Sequence, residues 1–208
     1  MPIRGKSMTD NYEKIAQQNL QRLYADLPTD LADNLPAQQD GNRFTFTAFG
    51  ETCIISPEGI TLGNGNHPSA MGILISLYAL HARSDPCIAE PFKAFKECPN
   101  SMPYVGAFTT HTEQILAPHT EAVQNALPQI KQTLSGSDDP AQINGDFAFV
   151  VYPLPKIALC YIFYEADEDF PASVTCLYSK NADVFLPVDA LADTGEYTSR
   201  KILEIIGK

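Results

Sequence analysis

Four carboxylates crowd one short stretch of this chain: Glu165, Asp167, Glu168 and Asp169. Acids at that density suit a hard-cation site, a general acid/base pair or contacts to a positively charged partner. The stretch lacks the central glycine and late glutamate of a calcium-binding EF-hand loop. The plain alternative is a solvated hairpin turn. Asp146 stands alone, following Gly145 at the mouth of an apolar run. A single charge there either caps a turn or faces a pocket. The histidines His67, His81, His111 and His119 form no HExxH or HxH pattern. On one helix His67 and His81 would stand roughly 20 Å apart, too far to share a metal. His111-Thr112-Glu113 could supply two ligands, against the simpler reading of a loop or half-buried histidine. Gly63-Asn64-Gly65-Asn66-His67-Pro68 lacks the third glycine of a dinucleotide loop and the Gly-Lys-Ser/Thr of a P-loop. No serine sits in a Gly-x-Ser-x-Gly elbow. The sequence therefore implies no metal and no cofactor, and leaves the catalytic residues unknown. The candidates for contacting a ligand are Asp146, Tyr152, Tyr164, Glu168, Tyr178 and His111.

The elements that must position these residues follow from periodicity. Residues 9–27 carry Tyr12, Ile15, Ala16, Leu20, Leu23 and Tyr24 at helical spacing, with Asp10 as N-cap. Residues 29–35 add a turn, and 36–42 read as a loop turning at Asp40-Gly41. Arg43–Ser56 alternates as a β-hairpin, followed by Ile60–Leu62. Residues 68–83 predict a helix apolar on most sides, with Pro68 at its first position. Residues 84–102 are broken by prolines. Helical spacing returns at Tyr104, Phe108, His111 and Ile115, and again at Val123, Leu127, Ile130 and Leu134, where Pro128 kinks or splits the run. Ser135–Pro140 is a flexible loop.

The densest apolar run spans residues 145–186 and predicts three antiparallel strands, 147–152, 156–164 and 172–178. Pro153-Leu154-Pro155 and the acidic stretch are the connections. A short helix at 187–191, a break at Gly195 and a last helix capped by Thr198 complete the chain. The fold class is α+β: an antiparallel meander against several helices, with the 68–83 helix laid across the strands. Residues 1–39 read as an N-terminal helix and polar linker, and 40–208 as the α+β domain. The groove between strands and helices would be floored by Tyr152, Tyr164 and Tyr178 and rimmed by Asp146 and Glu168.

Composition bounds the partners. The 208 residues are 44% hydrophobic and 19% charged, enough for a core without disulfide staples. A net charge of −11 repels phosphate, so nucleic acid and anionic membranes are poor partners. Cys53, Cys87, Cys98, Cys160 and Cys176 form no CxxC pair, which argues for reduced thiols in a cytoplasm. Cys160 and Cys176 belong to strands; Cys87 and Cys98, beside prolines, are the candidates for a reactive thiol. The N-terminus has no apolar signal segment, and the longest apolar stretch, 70–80, is too short to span a bilayer.

Three stretches stand out together: Ile75-Ser76-Leu77-Tyr78-Ala79-Leu80 after a hairpin, Gly145-Asp146-Phe147-Ala148-Phe149, and Pro153–Leu159 running on through Glu168-Asp169-Phe170-Pro171-Ala172 to Leu186-Pro187. They resemble the DUF3786 family of uncharacterised domains from anaerobic prokaryotes. The similarity covers about residues 40–206. It implies a setting in anaerobic metabolism, since some members carry an iron–sulfur domain like those of corrinoid and acetyl-CoA pathway proteins. The cysteines here lack iron–sulfur spacing. The family's aromatic–acid pair after the third strand is Tyr178-Ser179 in this chain, so no acidic role carries over. The expected function is a non-catalytic binding or accessory module for a small molecule or protein partner, with the oligomeric state open. The alternative is a small enzyme or cofactor-handling protein using carboxylates at strand ends.

Overall fold

The structure, a computed structural model, describes residues 8–66, 70–137 and 144–208. His67, Pro68 and the loop positions 138–140 lie outside the described residues. The fold is α+β, with an N-terminal helix and two antiparallel sheets. The chain divides into two compact units, Met1–Asp85 and Pro86–Lys208.

The first unit holds helices α1 (Met8–Ala25), α2 (Leu31–Asn34) and α3 (Ala70–Leu80), and strands β1 (Gln38–Asp40), β2 (Arg43–Ala48), β3 (Glu51–Ser56), β4 (Gly59–Leu62) and β5 (Gly65–Asn66). The strands pair in chain order. Period-2 alternation turns Phe44, Phe46, Ala48, Cys53, Ile55, Ile60 and Leu62 to one buried face. Phe46 and Tyr78 join that face to α3, their ring centroids 6.1 Å apart. Phe49 and Gly50 both take positive φ, 50° and 77°, which is the geometry of a two-residue hairpin turn. A left-handed phenylalanine costs about 1–2 kcal/mol. Burying its ring returns about 2–3 kcal/mol, so the turn survives.

Two expectations change here. α1 begins before Asp10, which places that residue inside the helix. The polar 36–42 stretch contains β1, and its turn is Gly41-Asn42, because Asp40 pairs with Arg43. α3 packs on α1 and β4, with the buried Asn19 Nδ2 donating to Ser76 Oγ at 3.0 Å. Its nearly uniform apolarity gave no face to match to a partner; the helix that covers the C-terminal strands is α7.

The second unit is built on β7 (Phe147–Leu154), β8 (Ile157–Tyr164) and β9 (Ser173–Tyr178), a meander with the two-residue β6 (Lys93–Ala94) on the far edge, in the order β6-β9-β8-β7. β7 runs through Pro153 across a register shift between Val151 and Leu154, so the tight turn is Pro155-Lys156. Proline is tolerated there because the shift removes its ladder bond. One face of the sheet carries Ala148, Val150, Ala158, Cys160 and Ile162, covered by Cys87, Phe92 and Tyr152. The other turns Phe149, Tyr161, Phe163, Cys176 and Tyr178 toward helices. Burial on both faces is why β8 reads as unbroken apolar sequence.

The helices are α4 (Val105–Phe108), a π-helical turn (Thr109–Gln114), α5 (Thr120–Asn125), α6 (Leu127–Thr133) and α7 (Val188–Ile205). Pro128 splits α5 from α6, as the sequence predicts. Gly195 does not break α7; the expected two helices are one. Thr198 is buried inside it and donates to Thr194 O at 2.6 Å. α7, the π-helical turn and the sheet share a buried polar chain. Ser199 Oγ donates to Thr112 O (2.7 Å), which leaves Tyr161 Oη as donor to Ser199 Oγ (3.0 Å).

Among the described residues no helix is long and apolar enough to cross a membrane. The cysteines are all thiols. Cys53, Cys98, Cys160 and Cys176 are buried, and burial pushes Cys53 up to about 12. Cys87 is half-buried, and desolvation also raises it, opposed by bonds from Ser179 and Ala158. Titration of the native protein with a disulfide reagent should therefore release a single slow equivalent, absent in Cys87→Ser. A second native equivalent would show that Cys98 is reachable after all.

Candidate functional site

The meander decides which candidate residues can meet. Asp146 and the acidic stretch lie at one end of the sheet. Asp146 N–H donates to Phe163 O (2.9 Å), and its Oδ2 accepts the Glu165 N–H at 2.6 Å. Its carboxylate thus caps the exit of β8. Asp167 Oδ1 accepts the N–H groups of Asp169 (2.8 Å) and Phe170 (2.7 Å), closing the acidic stretch on itself. Tyr164, at the same end, is exposed and donates to Asn144 O at 2.8 Å. Glu168 is exposed on the turn.

Tyr152 lies at the other end, beside Ala158; the six residues from there to Tyr164 span roughly 20 Å of strand. Its hydroxyl is raised by desolvation and by Cys87, against a bond from Ser137. Tyr178 faces away from both. It is fully buried among helices, donating to Leu191 O at 2.6 Å, and desolvation holds its hydroxyl well above the usual range. The three tyrosines therefore do not floor one groove. His111 is exposed on the π-helical turn, while Glu113 is directed at β9, so the two do not converge on a metal. Among the described residues no group of three His, Cys, Asp or Glu side chains could hold a metal ion.

The sheet edge beyond β9 forms a different site. β6 covers only Tyr178 and Leu177 of that edge. The rest faces the helical segment 109–120 across two adjoining grooves of about 550 and 430 Å³, which share Ala117, Pro118 and Ala172. Glu113 lines the first; Glu121 and Glu165 line the second. Glu113 Oε1 accepts the Cys176 N–H at 2.9 Å, a backbone donor on the outer edge of the strand. Burial raises the Glu113 carboxyl above its ordinary 4.5, opposed by the bonds from Cys176 and Thr109. Two further grooves, of about 610 and 740 Å³, flank the first unit's hairpins and contain none of the candidate residues.

The raised carboxyl has a consequence for stability. Between 4.5 and the higher folded value the native state binds more protons than the unfolded chain, so stability falls as pH rises through that window. Glu113→Gln keeps the acceptor for Cys176 and cannot ionise. Its thermal midpoint should fall less than the wild type's over the same pH interval. Parallel curves for the two proteins would contradict the assignment.

Of the three carboxylates that line this edge, sequence reasoning named Glu113 and Glu165, for other roles, and not Glu121. Glu121, Pro118 and Ala172 carry no local signal, because the groove exists only once the helical segment folds beside β9.

Architecture and site together describe an α+β domain with a carboxylate-lined groove beside a sheet edge. The chain belongs to the DUF3786 family, a domain of unknown function whose family model matches residues 27–201. No curated protein and no solved structure matches it.

Proposed function

We propose that this protein is a non-catalytic binding or accessory module whose ligand occupies the groove between β9 and the helical segment 109–120. The observation that carries the reading is the partly uncovered β9 edge, with backbone groups and Glu113 beside an open groove. The alternative, acid/base chemistry by carboxylates at strand ends, has less support. Asp146 accepts the Glu165 N–H, and Asp167 holds its own turn, so both acids serve the backbone. The setting we assign is the cytoplasm and anaerobic metabolism linked to corrinoid or iron–sulfur proteins. Family resemblance supports the metabolic part, and the acidic composition is compatible with the compartment.

The test is a fragment screen read by thermal shift and ligand-observed NMR, on the wild type and on Ala172→Trp, which fills the groove. A groove ligand at a hundredfold its Kd stabilises by about 2.7 kcal/mol. Hits should lose that effect in Ala172→Trp. Turnover of any panel substrate, abolished by Asp146→Asn, would replace this reading with the enzymatic one.

A further inference from the structure

Resting on that reading, we propose that the groove takes an extended, basic peptide segment, which adds as a short strand to the outer edge of β9 and places its cationic side chains against Glu113, Glu121 and Glu165.

Backbone direction supports strand addition. Ser179 N–H points inward to Ala158 O (2.8 Å), whereas Cys176 N–H points outward to Glu113 Oε1 (2.9 Å). Along a strand, N–H and C=O groups alternate between the two edges. Tyr178, Cys176 and Val174 therefore present theirs outward, and Ser173, Thr175 and Leu177 theirs to β8. β6 pairs with Tyr178 and then gives way to a 3₁₀ turn at Phe95, so it leaves the edge before Cys176. Of that row β6 holds Tyr178 and Glu113 holds the Cys176 N–H, so the groups left for an added strand are those of Val174, which lines the groove.

Charge selects the peptide. Glu113, Glu121 and Glu165 line the paired grooves, and among the described residues no lysine, arginine or histidine does. Glu113 is the anchor because it is partly desolvated, where a cation gains more than on an open surface. Its carboxylate bonds Cys176 N–H and Thr109, and two oxygens retain acceptor capacity for a third donor. Pro118, Pro171 and Ala172 leave room for alternate side chains between the charges. A single small cation would use the acids and leave the strand edge unused; an extended basic segment uses both.

The probe is a fluorescein-labelled hexapeptide, acetyl-Val-Lys-Val-Arg-Val-Thr-amide, titrated against the full chain at low ionic strength. Two control peptides carry Glu in place of Lys and Arg, or N-methyl groups on alternate amides. The parent peptide should bind. N-methylation should weaken it about fivefold or more, the value of a lost hydrogen bond. The acidic peptide, and the parent on the exposed double variant Glu121→Lys/Glu165→Lys, should each lose about tenfold or more. Glu113→Gln, which retains the Cys176 contact, should lose about fivefold while its thermal midpoint at neutral pH is no lower than the wild type's. Equal binding of parent and N-methylated peptides overturns strand addition, and equal binding of parent and acidic peptides overturns the charge selection. If the parent fails to bind while fragments lost in Ala172→Trp do bind, the peptide is wrong and the binding module stands; if neither binds, both fall.

Discussion

Tyr178→Ala is expected to destabilise the protein by about 4 kcal/mol, within the range for deleting a buried aromatic ring. For a chain of this length that lowers the thermal midpoint by on the order of 10 °C. The ring is fully buried and packs with Phe95 and Phe108 at centroid separations of 6.0 and 5.8 Å, while Phe95 and Phe108 stack on each other at 4.4 Å. Removing it takes the common partner from that pair and opens a cavity under α7. Tyr178→Phe keeps the ring and gives up the hydroxyl's bond to Leu191 O, so it should cost about 1 kcal/mol. Urea denaturation at constant m-value separates the two. A Tyr178→Ala protein as stable as the wild type, but weaker toward a ligand, would return this residue to the binding site that its sequence position suggested.

Gly195 carries the second large effect. In an open helix, glycine to alanine gains about 1 kcal/mol. Here a Cβ would stand 2.6 Å from Phe108 Cε2, 2.9 Å from Thr112 Oγ1 and 2.9 Å from Tyr178 Oη. All three sit well inside the ~3.5–4.0 Å of favourable contact. None is the loose end of a surface side chain, so relief requires α7 or the π-helical turn to move. Overpacking of this kind costs about 1–3 kcal/mol, which outweighs the propensity gain. Gly195→Ala should therefore lose about 1 kcal/mol and Gly195→Val about 3 kcal/mol, read by the same denaturation. A rise in the midpoint of Gly195→Ala would mean that the junction is looser than described.

These two residues also mark where sequence reasoning stops. β7, β8 and β9 were legible because β-branched and aromatic runs are cut by prolines and acids, and the α5–α6 split because Pro128 cannot donate. The separation of Tyr152 from Tyr164 follows from the length of β8. Alternation also places Tyr178 with Val174 and Cys176, yet which face the helices cover is a tertiary fact. Gly195 looked like a helix breaker because its reason lies in Phe108 and Tyr178, remote in sequence. β1 escaped notice because Gln38, Gln39 and Asp40 are all exposed and show no apolar alternation. The meeting of Asp146 with Glu165 follows from the hairpin, but its use as a cap depends on where one oxygen points.

The wide turn at Thr109–Gln114 makes chain length itself a constraint. Excising one residue, such as the exposed Thr110, would let the coil tighten to ordinary α geometry. Everything on one side of the cut would then swing by about 100° about the axis. Phe108 and Glu113 could no longer keep their present bearings together: either the aromatic stack or the clasp on the strand would be lost. Relatives that keep both must conserve the number of residues between those two positions, whatever they change in between.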